Sequence, residues 1–133
     1  MSTMKLFVLI ALLLFTGCKL DRIPPSVIQT DPRDGSMDVF PTLSEISVTF
    51  SEPMKDKNWS WCYEEKKHFP ETMGEAYYTD NNTRCVLPVK LQPNTEYIIW
   101  INLNKFNNFR DRSGNPVKPY KFMFSTTDDT YRN

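Results

Sequence analysis

Leu91-Gln92-Pro93-Asn94-Thr95-Glu96-Tyr97-Ile98-Ile99-Trp100-Ile101-Asn102 (LQPNTEYIIWIN) is the stretch that decides the fold. Its second half, Glu96 to Asn102, is the strongest β-prone run in the chain, apolar, β-branched and aromatic. Its first half, up to Tyr97, has the spacing of a tyrosine corner, a device of β-sandwiches in which the phenol bonds back to the chain a few residues upstream. Tyr97 then points inward with Ile99 and Ile101, and Ile98 and Trp100 point outward, because side chains alternate along a strand.

Working outward, other segments repeat the pattern. Glu45 to Phe50 (EISVTF) alternates, with Ile46, Val48 and Phe50 on one face. Asn58 to Glu64 (NWSWCYE) places Trp59, Trp61 and Tyr63 on one face and Ser60 and Cys62 on the other. Ala76 to Thr79 and Arg84 to Val89 flank Asp80-Asn81-Asn82-Thr83, which reads as a hairpin turn whose asparagines accept positive φ. Ser26 to Thr30 and Lys121 to Thr126 open and close the series, and Met123 faces outward between inward Phe122 and Phe124. The turns at Asp31 to Gly35 and Asp111 to Pro116 carry Pro, Asp, Asn and Gly. The expectation is an all-β fold, an immunoglobulin/fibronectin-III-like β-sandwich of about seven antiparallel strands.

Sixteen Lys and Arg balance sixteen Asp and Glu. Nucleic-acid binding draws on an excess of cations to displace counterions, so that class of partner is not expected. Ten prolines against four glycines suit short strands and stiff turns. No repeat of solenoid period is visible.

The N-terminus reads as an address. A weakly positive start, Met1 to Lys5, precedes the apolar run Leu6 to Phe15 (LFVLIALLLF). A membrane-spanning helix needs roughly twenty apolar residues, so this run matches the core of a secretion signal instead. Phe15-Thr16-Gly17-Cys18 resembles a bacterial lipobox, which implies cleavage before Cys18 and acylation of that cysteine. Two or three acyl chains hold a protein durably where one does not. Lys19, rather than Asp, after the cysteine favours the outer membrane over the inner by resemblance to the sorting rules of enteric bacteria. The expected organisation is a cleaved lipoprotein signal at 1–17, a lipidated N-terminus and tether at 18–25, an Ig-like sandwich at 26–127 and a flexible tail at 128–133.

The order Pro24-Pro25-Ser26-Val27, Asp31 to Val39 (DPRDGSMDV), Ile46 to Met54 (ISVTFSEPM), Leu91 to Tyr97, and DRSGNP with the FMFST strand resembles the bacterial Ig-like domains of the kind seen in the S-layer protein SbsA. The resemblance spans nearly the whole mature chain and implies the sandwich. It implies no shared catalytic residues, and such domains commonly serve as spacers in surface proteins.

Site chemistry is sparse. Cys62 and Cys85 remain once Cys18 carries lipid. A bridge between them would close a loop of about twenty residues and add roughly 3 kcal/mol. Alternation opposes it: if Trp59 and Leu87 both face the core, the two sulfurs point apart. The single histidine, His68, lacks converging partners for zinc, and Asp31, Asp34 and Asp38 lack the oxygen density of a calcium loop. No metal and no cofactor is expected. No nucleophile elbow or triad is present, so an enzyme is not expected. Ile98, Trp100 and Met123 form the candidate interaction surface, unless a loop or the tail covers them. Phe106 and Phe109, in Asn104 to Arg110, either carry recognition at one end of the sandwich or plug its core. The leading expectation is a membrane-tethered, non-catalytic module engaging an envelope protein or glycan, and the alternative is a purely structural spacer. Exposure of Trp100 separates the two.

Overall fold

The computed structural model describes residues 20–128. The signal segment, Cys18 and the end of the tail lie outside the described residues. Among the described residues nine strands form two sheets: β1 Val27–Asp31, β2 Ser36–Val39, β3 Glu45–Phe50, β4 Trp61–Cys62, β5 Glu71–Thr72, β6 Tyr77–Thr79, β7 Arg84–Lys90, β8 Glu96–Ile101 and β9 Tyr120–Thr126, with a 3-10 turn at Lys66–His68. One sheet runs β1-β3-β7-β5, with β6 also paired to β7, and the other runs β2-β9-β8-β4. This is the division of strands of an Ig-type sandwich.

The core is the set of inward residues that alternation selects. Ile46, Val48 and Phe50 of β3, Ile99 and Ile101 of β8, and Phe122 and Phe124 of β9 are all buried. Burying a large apolar side chain contributes about 1.5–3 kcal/mol, so these residues supply much of the driving force. Tyr97 is buried, and its phenolic oxygen accepts the Gln92 N–H at 2.8 Å, completing the tyrosine corner. The Thr126 hydroxyl fastens the same corner to β9 by donating to the Gln92 carbonyl at 2.6 Å and accepting from the Thr95 N–H at 3.0 Å.

At the other end of β8 a second device appears. Asn102, fully buried and at φ 64°, holds the loop that carries Phe109. Its amide donates to the carbonyls of Phe109 (3.0 Å) and Val117 (2.9 Å) and accepts from the Phe109 N–H (2.9 Å). Phe109 thereby plugs the core, against Phe50 at 5.2 Å and Trp61 at 5.5 Å between ring centroids.

Three local expectations change. The segment 36–39, to which the sequence reading assigns no element, is a strand running parallel to β9. The strand expected from Asn58 to Glu64 shrinks to two paired residues, because Ser60 turns its hydroxyl to the Asn108 N–H (2.9 Å) and the chain beyond Cys62 leaves the sheet for the 3-10 turn. A two-residue strand at Glu71–Thr72 pairs with the end of β7. The hairpin turn behaves as its sequence suggests, with Asp80, Asn81 and Asn82 at φ 53°, 55° and 60°.

Candidate functional site

Because β4 is so short, the sandwich is left open along that side. Trp59, Trp61, Cys62 and Tyr63 line one wall of a groove, Thr72 and Leu87 the other, and Phe69, Leu103 and Phe106 close it into a hollow of about 600 Å³. Tyr63 is 43% exposed and Phe106 64%, so the rim offers aromatic faces to solvent. Tyr63 packs on Phe69 at 5.3 Å between centroids, which steadies the rim. Trp59 leans on Tyr78 at 6.4 Å, and the Tyr78 hydroxyl donates to the Asn58 carbonyl at 2.6 Å. The floor is packed and the lip is open.

Cys62 and Cys85 are both free, buried thiols, so the disulfide left open by the sequence is not formed. The physical reason is the one alternation offers. Cys62 lies on β4 with its thiol turned to the Ser60 carbonyl at 3.3 Å, whereas Cys85 sits in the other sheet among the core residues. Burial pushes both thiols up, Cys85 to about 12, so neither is a nucleophile at neutral pH. The Trp61 indole N–H, enclosed and without an oxygen partner, faces the Cys85 sulfur.

The outward patch takes a different form from an open surface. Ile98 pairs across the strands with Met123, and Trp100 with Lys121, as alternation requires. All three apolar residues are only half-exposed. The 3-10 turn sits beside β8, held by His68 Nδ1 to the Glu96 carbonyl at 3.2 Å. Glu64, Glu65, His68 and Lys121 surround Ile98 in a hollow of about 180 Å³. The Trp100 indole N–H is itself enclosed and unpartnered. A loop thus covers part of the surface, and Trp100 is not left standing in water.

Asp34 is tied into β9: its carboxylate accepts the Met123 N–H at 3.0 Å and the Tyr120 hydroxyl at 2.9 Å. It is a turn residue, with Asp31 and Asp38 nearby on the surface. The fold instead gathers Asp21, Glu52 and Asp111, whose carboxylate oxygens lie within 4.8 Å of one another. Sequence reasoning did not find this trio, because its members come from the tether, the β3–β4 loop and the β8–β9 loop. Asp111 is buried and accepts from Ser113 N–H (3.0 Å), Asn115 N–H (2.8 Å) and Asn115 Nδ2 (3.0 Å). Burial alone would raise its pKa, but these hydrogen bonds bring it below the usual range. Glu52, hydrogen-bonded to Asp111, further desolvated and repelled by both neighbours, is pushed up to about 7. A proton on Glu52 would let the two carboxyls hydrogen-bond at this range. As a cation site the trio would offer three side-chain oxygens, where calcium takes six to eight ligands.

Phe106 and Phe109 divide the two roles weighed for them. Phe109 is fully buried, and Phe106 stands at the groove's rim.

Against known proteins, no curated protein matches the chain. Among solved structures, the crystal structure of the S-layer protein rSbsC(31-844) resembles it at 14% identity and a TM-score of 0.48, over 79% of this chain and 14% of that one. The chain spans only that small share of the longer protein's length. The family profile described as bacterial Ig-like domain matches residues 21–126, from the tether to the end of β9. With the two-sheet topology, the tyrosine corner and this match together, the chain belongs to the bacterial Ig-like domain family.

Proposed function

We propose that this protein is a lipid-anchored module of the bacterial cell envelope, held by acylated Cys18 and working by binding rather than catalysis. Its partner is an envelope protein or glycan. The observation that carries the reading is the aromatic groove beside β4. An open, preformed hollow with Trp, Tyr and Phe at its rim is the kind of surface that recognition uses and a spacer has no need of. Ile98, Trp100 and Met123 are half-covered, an outcome that on that face favours the spacer, so the binding reading rests on the groove instead. The absence of an activated nucleophile at either cysteine supports a non-catalytic role.

The test is a pull-down from envelope extract with the soluble domain from Lys19 onward, comparing wild type, Phe106→Ser with Tyr63→Ser, and Trp100→Asp. Loss of one captured partner in the groove variant, with Trp100→Asp still competent, is the expected result. Loss only in Trp100→Asp returns recognition to the sheet face. Capture of nothing by any folded form favours the spacer.

A further inference from the structure

The chain is neutral overall, yet its charge is unevenly placed. At the end where the N-terminal tether meets the sandwich, the loops β3–β4 and β8–β9 expose Lys55, Lys57, Lys105, Arg112 and Lys118, and the tether adds Arg22. Exposed anions there are Asp21, Asp56 and Asp80, while Asp111 is buried and Glu52, pushed up to about 7, is only partly charged at neutral pH. Toward the opposite end, Asp31, Asp34, Asp38, Glu64, Glu65, Glu71 and Glu96 are exposed, with Arg33, Lys66, Lys67 and Lys90 among them.

The tether is fastened to the basic end. The Asp21 carbonyl accepts from Asn115 Nδ2 at 3.1 Å, Ser26 and Ser51 exchange hydrogen bonds (3.0 and 2.9 Å), and Pro24 and Pro25 pack beside Val117 to Tyr120. Two residues, Lys19 and Leu20, lie between Cys18 and Asp21, and the three chain steps reach at most about 11 Å. The Debye length at physiological ionic strength is about 8 Å. An acyl group at Cys18 therefore holds Asp21 within little more than one such length of a bilayer, where a charged surface acts on the basic end. Leu20 and Ile23 flank Asp21 and are 79% and 75% exposed, placed to enter the headgroup boundary.

From this we infer that the tether end of the sandwich docks on an anionic phospholipid surface, with the acidic end projecting away. The inference rests on the lipid-anchor reading above and adds to it a defined orientation. Free tethering would leave the domain tumbling; docking fixes which end meets a partner.

The experiment uses the full, processed lipoprotein in vesicles of phosphatidylcholine alone or mixed with phosphatidylglycerol. Lysines are acetylated under limiting reagent, and each site's rate is read by mass spectrometry. Lys55, Lys57, Lys105 and Lys118 should react roughly fivefold more slowly on the anionic vesicles, and the contrast should vanish at high salt. Lys66, Lys67 and Lys90 should react equally on both. Equal rates at the first four sites, or uniform slowing of every lysine, overturn the docking. Intact mass separates the two readings. An acylated chain with equal rates sinks the docking alone, whereas a chain bearing no acyl group at Cys18 sinks the anchor as well.

Discussion

The two ends of β8 do the same mechanical work by different means. At one end Tyr97 offers a single phenolic oxygen to Gln92, five residues upstream, as a local corner. At the other, Asn102 makes three hydrogen bonds to Phe109 and Val117 and holds a long loop against the core. The first can be recognised from spacing, because both partners lie in one short stretch. The second cannot, because an asparagine at a strand's end looks like any turn residue until the loop returns to it. A local device is legible, and a closing one is not.

The comparison would break if the clamp were dispensable. Phe109→Ala removes the plug that Asn102 positions, and a buried Phe→Ala change costs about 3–5 kcal/mol. Asn102→Ala leaves the Val117 carbonyl and the Phe109 N–H buried without partners, at a residue with φ 64°, for an expected loss of about 3 kcal/mol or more. Urea unfolding of both single variants and the double gives the coupling. The double should cost well under the sum, since each change undoes the same loop closure.

Tyr97→Phe is the matching test at the corner. The ring stays packed on Phe124, at 5.2 Å between centroids, and only the acceptor for the Gln92 N–H is lost. The expected cost is about 1–1.5 kcal/mol, measured in the same unfolding series. A loss as large as that of Asn102→Ala would erase the distinction between the two ends.

The same division of legibility runs through the molecule. Alternation in β3, β8 and β9 identifies Ile46, Val48, Phe50, Tyr97, Ile99, Ile101, Phe122 and Phe124 as core, since a strand with one dry face writes its register into every second residue. The strand β2 escapes because Ser36 to Val39 (SMDV) is only four residues long and its alternation marks no dry face, Met37 being 80% exposed; its pairing with the edge of β9 is a long-range contact. The shortness of β4, hence the groove, depends on Ser60 reaching Asn108 across the fold. The trio Asp21, Glu52 and Asp111 is assembled by three loops, and nothing local marks it.

That trio supplies a smaller, pH-dependent test at the Asn102 end. Glu52 has its folded pKa raised to about 7 from 4.5, so its contribution to stability is complete below about pH 4.5 and is lost as pH rises toward 7. Asp111, lowered, contributes in the opposite sense, above its unfolded pKa, and loses that contribution only in stronger acid. The wild type should therefore weaken between pH 4.5 and 7. Glu52→Gln, which keeps a donor for Asp111 without the charge, should be flat across that window in urea midpoints. A wild type as flat as the variant would mean that the two carboxyls do not share a proton.

The smallest effect on stability belongs to the groove, and its smallness is the point. Phe106 is the most exposed of the groove's aromatics, so Phe106→Ser removes little buried surface and should shift unfolding by less than about 0.5 kcal/mol. Phe109, three residues further along the same loop, should cost many times more on truncation. One loop therefore carries a residue kept for packing and a residue whose exposure packing does not explain. A large destabilisation by Phe106→Ser would place that ring in the structural set with Phe109, and the groove would lose its principal claim to be a recognition surface.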